Sequence, residues 1–143
     1  MRLSVIALLL FVLGTAAAPA EELPQATMYK QPYCGCCEGH ADHLRANGFK
    51  VNVIEAENLS HIKSQHGVPQ ELEGCHTTVV GGYVVEGHVP ATMLRKLLKQ
   101  RPAIRGIALP GMPDGSPGMS GTKSAPFVVY EFSTTRGGVF ATE

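Results

Sequence analysis

Three of the chain's four cysteines, Cys34, Cys36 and Cys37, fall within four residues, and the fourth, Cys75, is followed directly by His76. Cys34 and Cys37 have the C-x-x-C spacing of a redox-active or metal-binding thiol pair. Three thiols on one tight turn do not easily all point at one ion. Thiolates bridge, however, so a site holding two or more ions suits this cluster. Cu(I) is soft and closed-shell, and thiolate, thioether and imidazole all suit it. Zinc is the alternative, since it takes Cys₃His or Cys₄. Met112 and Met119, in a Gly/Pro-rich stretch, tilt the choice toward copper, because a thioether is a poor zinc ligand. A plainer reading makes Cys34–Cys37 and Cys36–Cys75 two disulfides, the default in an oxidising compartment.

The histidines divide. His76 reads as a ligand or as support for one. His40 and His43 follow Cys37 by three and six residues, and His40 is equally suited to reach the site or to face solvent. His61 and His66 read as surface residues, and the role of His88 is open. Met28 and Met93 read as core packing.

Elements must bring these groups together. Ala26 to Lys30 reads as a strand, and the residues after the cysteines read as a helix stopped at Asn47-Gly48. Cysteines on a first helical turn meet unpaired N–H groups and a positive dipole end, which favour thiolate. Phe49 to Val53 alternates as a strand does. Leu59 to Gln65 forms a short helix behind Asn58, a suitable cap. Thr77–Val80 and Tyr83–Glu86 flank Gly81-Gly82, a hairpin signal. Met93, Leu94, Leu97 and Leu98 make a helical stripe that starts near Pro90 and stops at Arg101-Pro102.

The order β-α-β-α-β-β-α is that of an α/β, thioredoxin-like fold over residues 26 to 101, extended by a C-terminal loop and strands. In thioredoxin relatives the residue before the third strand packs against the C-x-x-C turn. By that analogy Cys75-His76 lies beside Cys34, Cys36 and Cys37. Residues 106–126 are rich in glycine and proline and are expected to hold no regular element, a long loop of the kind that is often functional. Phe127 to Phe132 reads as a strand, and Thr134 to Gly138 as a turn into a short tail strand.

Residues 1–20 read as a cleavable export signal. Met1-Arg2 is a short positive start, Leu3 to Leu13 is apolar, and Ala18-Pro19-Ala20 is an A-x-A cleavage pattern. The apolar run is too short to span a bilayer. The mature chain, 21–143, is expected to be one exported, soluble domain without a membrane span. Setting Arg2 aside leaves 11 of the 12 basic residues against 12 acidic ones. No basic patch points to nucleic acid, and no basic amphipathic helix points to a membrane surface.

Three separated motifs carry a resemblance. They are Pro32-Tyr33-Cys34-Gly35-Cys36-Cys37, then Cys75-His76-Thr77 with Val79 to Pro90, then Leu109-Pro110-Gly111-Met112-Pro113-Asp114-Gly115-Ser116-Pro117-Gly118-Met119. Together they resemble the periplasmic copper-resistance family CopG, across nearly the whole mature chain. The resemblance implies a thioredoxin-like fold, copper at the cysteine cluster, a role in copper tolerance in the periplasm, and a copper redox function.

Three functions compete on the residues. One is a copper oxidoreductase that interconverts Cu(I) and Cu(II) and passes copper to an efflux or storage partner. Another is a passive scavenger or chaperone. The third is a thiol-disulfide oxidoreductase using Cys34 and Cys37. Cys36 in the motif and Cys75-His76 where exchangers carry a cis-proline weaken the third. Bridging thiolates drawn from two segments spread charge over several ions, which favours redox handling over simple carriage.

Overall fold

The computed structural model describes residues 22–143, so the expected export signal lies outside the described residues. Strand β1 (Ala26–Lys30) buries every second residue, Ala26, Met28 and Lys30. Helix α1 (Gly35–Ala46) buries Cys37, His40, Ala41 and Leu44, one stripe at helical spacing. Strand β2 (Val51–Glu55) starts two residues later than the alternation implied. Phe49, 3% exposed, anchors the chain ahead of it, and as an edge strand β2 leaves Val51 and Val53 only half-buried. Helix α2 (Leu59–Gln65) is capped as expected, with the Asn58 side chain accepting the His61 N–H at 3.0 Å.

A 3₁₀ turn (Gln70–Leu72) leads to strands β3 (His76–Val80) and β4 (Tyr83–Gly87). Gly81 and Gly82, at φ 57° and 88°, supply the left-handed conformations that the two-residue hairpin turn requires. Helix α3 (Ala91–Gln100) buries Met93, Leu94 and Leu97. The order β-α-β-α-β-β-α is therefore present up to residue 100.

Beyond it the expectation of an irregular stretch over 106–126 fails at its first four residues and holds for 110–126. Strand β5 (Gly106–Leu109) runs parallel to β4 and is wholly buried. Gly106 does not break it but permits it: a Cβ there would lie 1.9 Å from the Val84 carbonyl oxygen. Strand β6 (Val128–Phe132) pairs antiparallel with β5. Strand β7 (Arg136–Thr142) pairs with β6 and begins inside the expected turn. The result is a mixed α/β fold on one seven-stranded sheet, β2-β1-β3-β4-β5-β6-β7, larger than the four strands of a thioredoxin-like core by the three C-terminal strands β5, β6 and β7.

The two sheet faces bury separate clusters. Val85, Ile107 and Val129 pack with Leu44 of α1 and Leu94 and Leu97 of α3. Their neighbours Val84 and Ala108 point the other way, onto Val68, Leu72 and Phe132. The loop after β5 is built from turns of its own: Ser116 N–H donates to Pro113 O at 3.1 Å, and Met119 N–H to Ser116 O at 2.8 Å. Among the described residues no helix is long and apolar enough to cross a membrane.

Candidate metal centre

Strand β1 delivers the chain to a tight turn in which Tyr33 takes φ 61° and is fully exposed. Cys34 then caps α1, and Cys36 and Cys37 lie in its first turn. Strand β3 runs antiparallel to β1 with His76 opposite Lys30. Cys75, one residue before that pair, consequently leaves the sheet where the cysteine turn begins. One sulfur from each of Cys34, Cys36, Cys37 and Cys75 lies within 4.8 Å of all the others. The expected juxtaposition of the two segments is present.

The sulfurs are not equivalent. Cys34 and Cys37 are joined in a disulfide, with Cα atoms 5.4 Å apart, and Cys37 is fully buried. Cys36 and Cys75 are free thiols with sulfurs 3.9 Å apart, and Cys36 Sγ lies 3.5 Å from Cys34 Sγ. Of the two bridges in the plainer reading, one is formed and the other pair remains open. Burial, with Cys36 beside it, pushes the Cys75 thiol up to about 12. Cys75 is thus protonated at neutral pH, and a metal ion that binds it must displace that proton. The thiolate-favouring helix start does not extend to this residue, which arrives from the strand side.

Behind the sulfurs lie three imidazoles. His40, His76 and His88 are each completely buried, and one ring nitrogen of each lies within 4.8 Å of the others. His40 Nδ1 is 2.7 Å from His76 Nε2, and His88 Nε2 is 2.9 Å from Cys75 Sγ. Burial holds all three below the ordinary histidine range, His40 at about 3. The rings are neutral at pH 7, as ligands must be.

The inward placement of His40 and His88, not among the expected ligands, has a signal in the sequence for each. His40 is three residues after Cys37 and shares its buried helix face. A two-residue turn at Gly81-Gly82 sets Val80 opposite Tyr83 and Thr77 opposite Glu86. The same register carried outward sets Cys75 opposite His88. His43 has a different task, accepting the Ala91 N–H at 3.2 Å at the start of α3. His61 is exposed, and His66 packs beside the Tyr29 ring.

The long loop closes over the first turn of α1 through backbone, not only side chains. Pro117 O accepts the His88 Nδ1–H at 2.8 Å. Gly118, at φ 85°, presses so close to α1 that a Cβ would meet His40 N at 2.4 Å and Cys36 O at 2.5 Å. Met112 stands on a left-handed turn and is 43% exposed, and Met119, next to Gly118, is half-buried.

The donor set suits a soft ion: sulfur in front, neutral imidazole behind. A family described as protein of unknown function DUF411 matches residues 72–119, from just before Cys75-His76 to Met119. No curated protein matches the chain. Two solved structures, described as forms 2 and 1 of copper resistance protein CopG, are similar to it over most of its length. Both are 40% identical, with TM-scores of 0.78 and 0.77, and the match covers 85% of this chain and 99% and 98% of theirs.

Proposed function

The chain belongs to the family of copper resistance protein CopG, and from that premise we propose that it binds copper at Cys34, Cys36, Cys37 and Cys75. The observation that carries this is the gathering of four sulfurs from two segments within 4.8 Å. In this reading Cu(I) is held by bridging thiolates in a multinuclear site on a thioredoxin-like core, with His76 assisting and Met112 and Met119 in a covering loop. The work is done in the periplasm, after removal of residues 1–20, and copper passes on to an efflux or storage partner.

Redox handling has a stoichiometric basis in the disulfide. Closing Cys34 and Cys37 releases two electrons and two protons, which balances reduction of two Cu(II) to two Cu(I); Cys36 and Cys75 are the thiols left to retain the ions while the bridge is closed. Opening it again takes two electrons and two protons from a thiol reductant of the compartment. A passive carrier has no need of such a pair.

The formed Cys34–Cys37 bridge also favours a second reading, disulfide exchange with other proteins. A reversible redox titration of the copper-loaded protein, run beside an insulin-reduction assay, separates the two. Copper handling gives a reversible couple with copper retained and little insulin reduction. Loss of copper on one-electron oxidation demotes the protein to a scavenger. Efficient insulin reduction by the metal-free protein, abolished by Cys34→Ser, moves it to the exchangers. One retained zinc per chain with no copper makes the cluster a structural zinc site.

A further inference from the structure

The protons around the three histidines can be placed from their partners. Val89 O lies 2.9 Å from His40 Nε2, and a carbonyl only accepts, so His40 carries its proton on Nε2. Its Nδ1 therefore presents a lone pair toward His76. Pro117 O fixes the proton of His88 on Nδ1 by the same logic, leaving a lone pair on Nε2 that faces Cys75 Sγ. Histidines that ligate metals characteristically donate their outer N–H to a backbone carbonyl or carboxylate, which sets tautomer and ring angle. Two rings here are already held in that way.

Each inward lone pair is met by a single proton. His76 Nε2–H meets His40 Nδ1 at 2.7 Å, and the Cys75 thiol meets His88 Nε2 at 2.9 Å. The ring planes splay, with His76 and His88 at 86° and their centroids 4.8 Å apart. His40 and His76 lie at 41° and 4.7 Å. Nitrogens around one tetrahedral ion at about 2.0 Å stand roughly 3.3 Å from one another, so His76 need retreat from His40 by only about half an ångström. Among the described residues no carboxylate or ammonium group makes a hydrogen bond or ion pair with these rings; the nearby Lys63 ammonium, whose charge is felt at His76, is paired with Glu86.

We propose that His40, His76 and His88 form an all-imidazole site for one divalent cation of borderline softness, Cu(II) or Zn(II), joined to the sulfur cluster through Cys75. The ion takes the place of the proton between His40 and His76, which moves to the other nitrogen of His76. Sulfur in front selects the soft monovalent ion, and nitrogen behind selects the divalent one. The site stands on its own donors and does not depend on copper at the four cysteines.

A thiol-free protein isolates it. Cys36→Ser with Cys75→Ser, the Cys34–Cys37 bridge left intact, removes the groups that would reduce Cu(II). Titration with Cu(II) alone is expected to load one ion per chain, with nitrogen hyperfine structure in its electron paramagnetic resonance spectrum. His40→Gln or His88→Gln in that background should lower the affinity at least tenfold, and His61→Gln should not. Because a buried histidine variant can fail to fold, Zn(II) is also added with all histidines in place. Long-range ¹H–¹⁵N spectra should then show ring shifts at His40, His76 and His88. The proposal is overturned if no stoichiometric Cu(II) binds, if His40→Gln and His88→Gln bind undiminished, or if only His43, His61 and His66 respond to Zn(II). Cu(I) titration of the reduced native protein reads the sulfur cluster separately, so each site fails or stands alone.

Discussion

The Glu86 carboxylate accepts the backbone N–H of Gly74 at 2.7 Å, one residue ahead of Cys75. Its other oxygen accepts the Thr77 hydroxyl at 2.7 Å, one residue beyond His76. One buried carboxylate on β4 therefore clamps Cys75-His76 from both sides, and the buried ammonium of Lys63 pairs with it. Burial pushes the Glu86 carboxyl up, and Lys63 draws it back toward the charged form.

Glu86→Gln removes the charge that Lys63 faces and leaves an ammonium buried without its partner. The expected loss is about 3–5 kcal/mol in urea unfolding, the usual cost of breaking a buried pair. Combining it with Lys63→Met should recover part of that stability. Copper affinity should stay weakened in the double variant, because the Cys75 segment has lost its charged clamp. Full recovery of affinity would show that the clamp serves folding alone.

Acid should unfold the metal-free protein early. His40, His76 and His88 lie below their ordinary 6.5 in the folded chain, His40 at about 3. Between the folded and unfolded values the unfolded chain holds more protons, so stability is present above pH 6.5 and is lost as pH falls toward 3. His40 contributes a slope of about 1.4 kcal/mol per pH unit in that window, and His76 and His88 add to it in the same direction below their ordinary value. Glu86, raised by burial, opposes this above its ordinary value. Unfolding free energies measured from pH 7.5 to 4.5 should decline by at least one proton's slope. A flat profile would contradict the burial of the three rings.

Gly118→Ala places a methyl group against His40 N and Cys36 O, at a residue that also needs positive φ. The loop must lift. A loss of about 1–3 kcal/mol is expected from the strained residue, with faster limited proteolysis at 111–121. Gly111→Ala, also at positive φ but with nothing within 4 Å of its Cβ, is the control for conformation without contact.

Met112→Leu with Met119→Leu keeps loop volume and removes both thioethers. Slower transfer of Cu(I) to a competing chelator is expected if the thioethers assist at the mouth of the site. Unaltered affinity and transfer rate would make both methionines incidental.

Much of this was legible in the chain itself. The stops at Asn47-Gly48 and Arg101-Pro102, the Asn58 cap and the Gly81-Gly82 turn are local signals, and each element they bound is present. Strand β5 was not legible, because Gly106 and Pro110 read as breakers until a neighbouring strand shows why no side chain is tolerated at 106. A tail strand was expected after the 134–138 turn, and β7 starts earlier, at Arg136, since Gly137 and Gly138 lie on an edge that demands little of side chains. In the site, proximity of the cysteine segments followed from topology. The redox state of each sulfur and the inward turn of His40 and His88 depend on burial, and burial is set by the whole sheet.

The hydrogen bond from His88 to Pro117 makes the covering loop and the proposed ligand a single moving part. When the loop lifts, the ring loses the carbonyl that fixes its proton and becomes free to turn away. In the proposed site affinity and access would then be traded against each other in one motion, the closed chain holding an ion and the open one releasing it. The rate at which metal leaves should follow the rate at which the Pro117 turn opens, so a partner that pulls on the loop can unload the protein without competing for the ion.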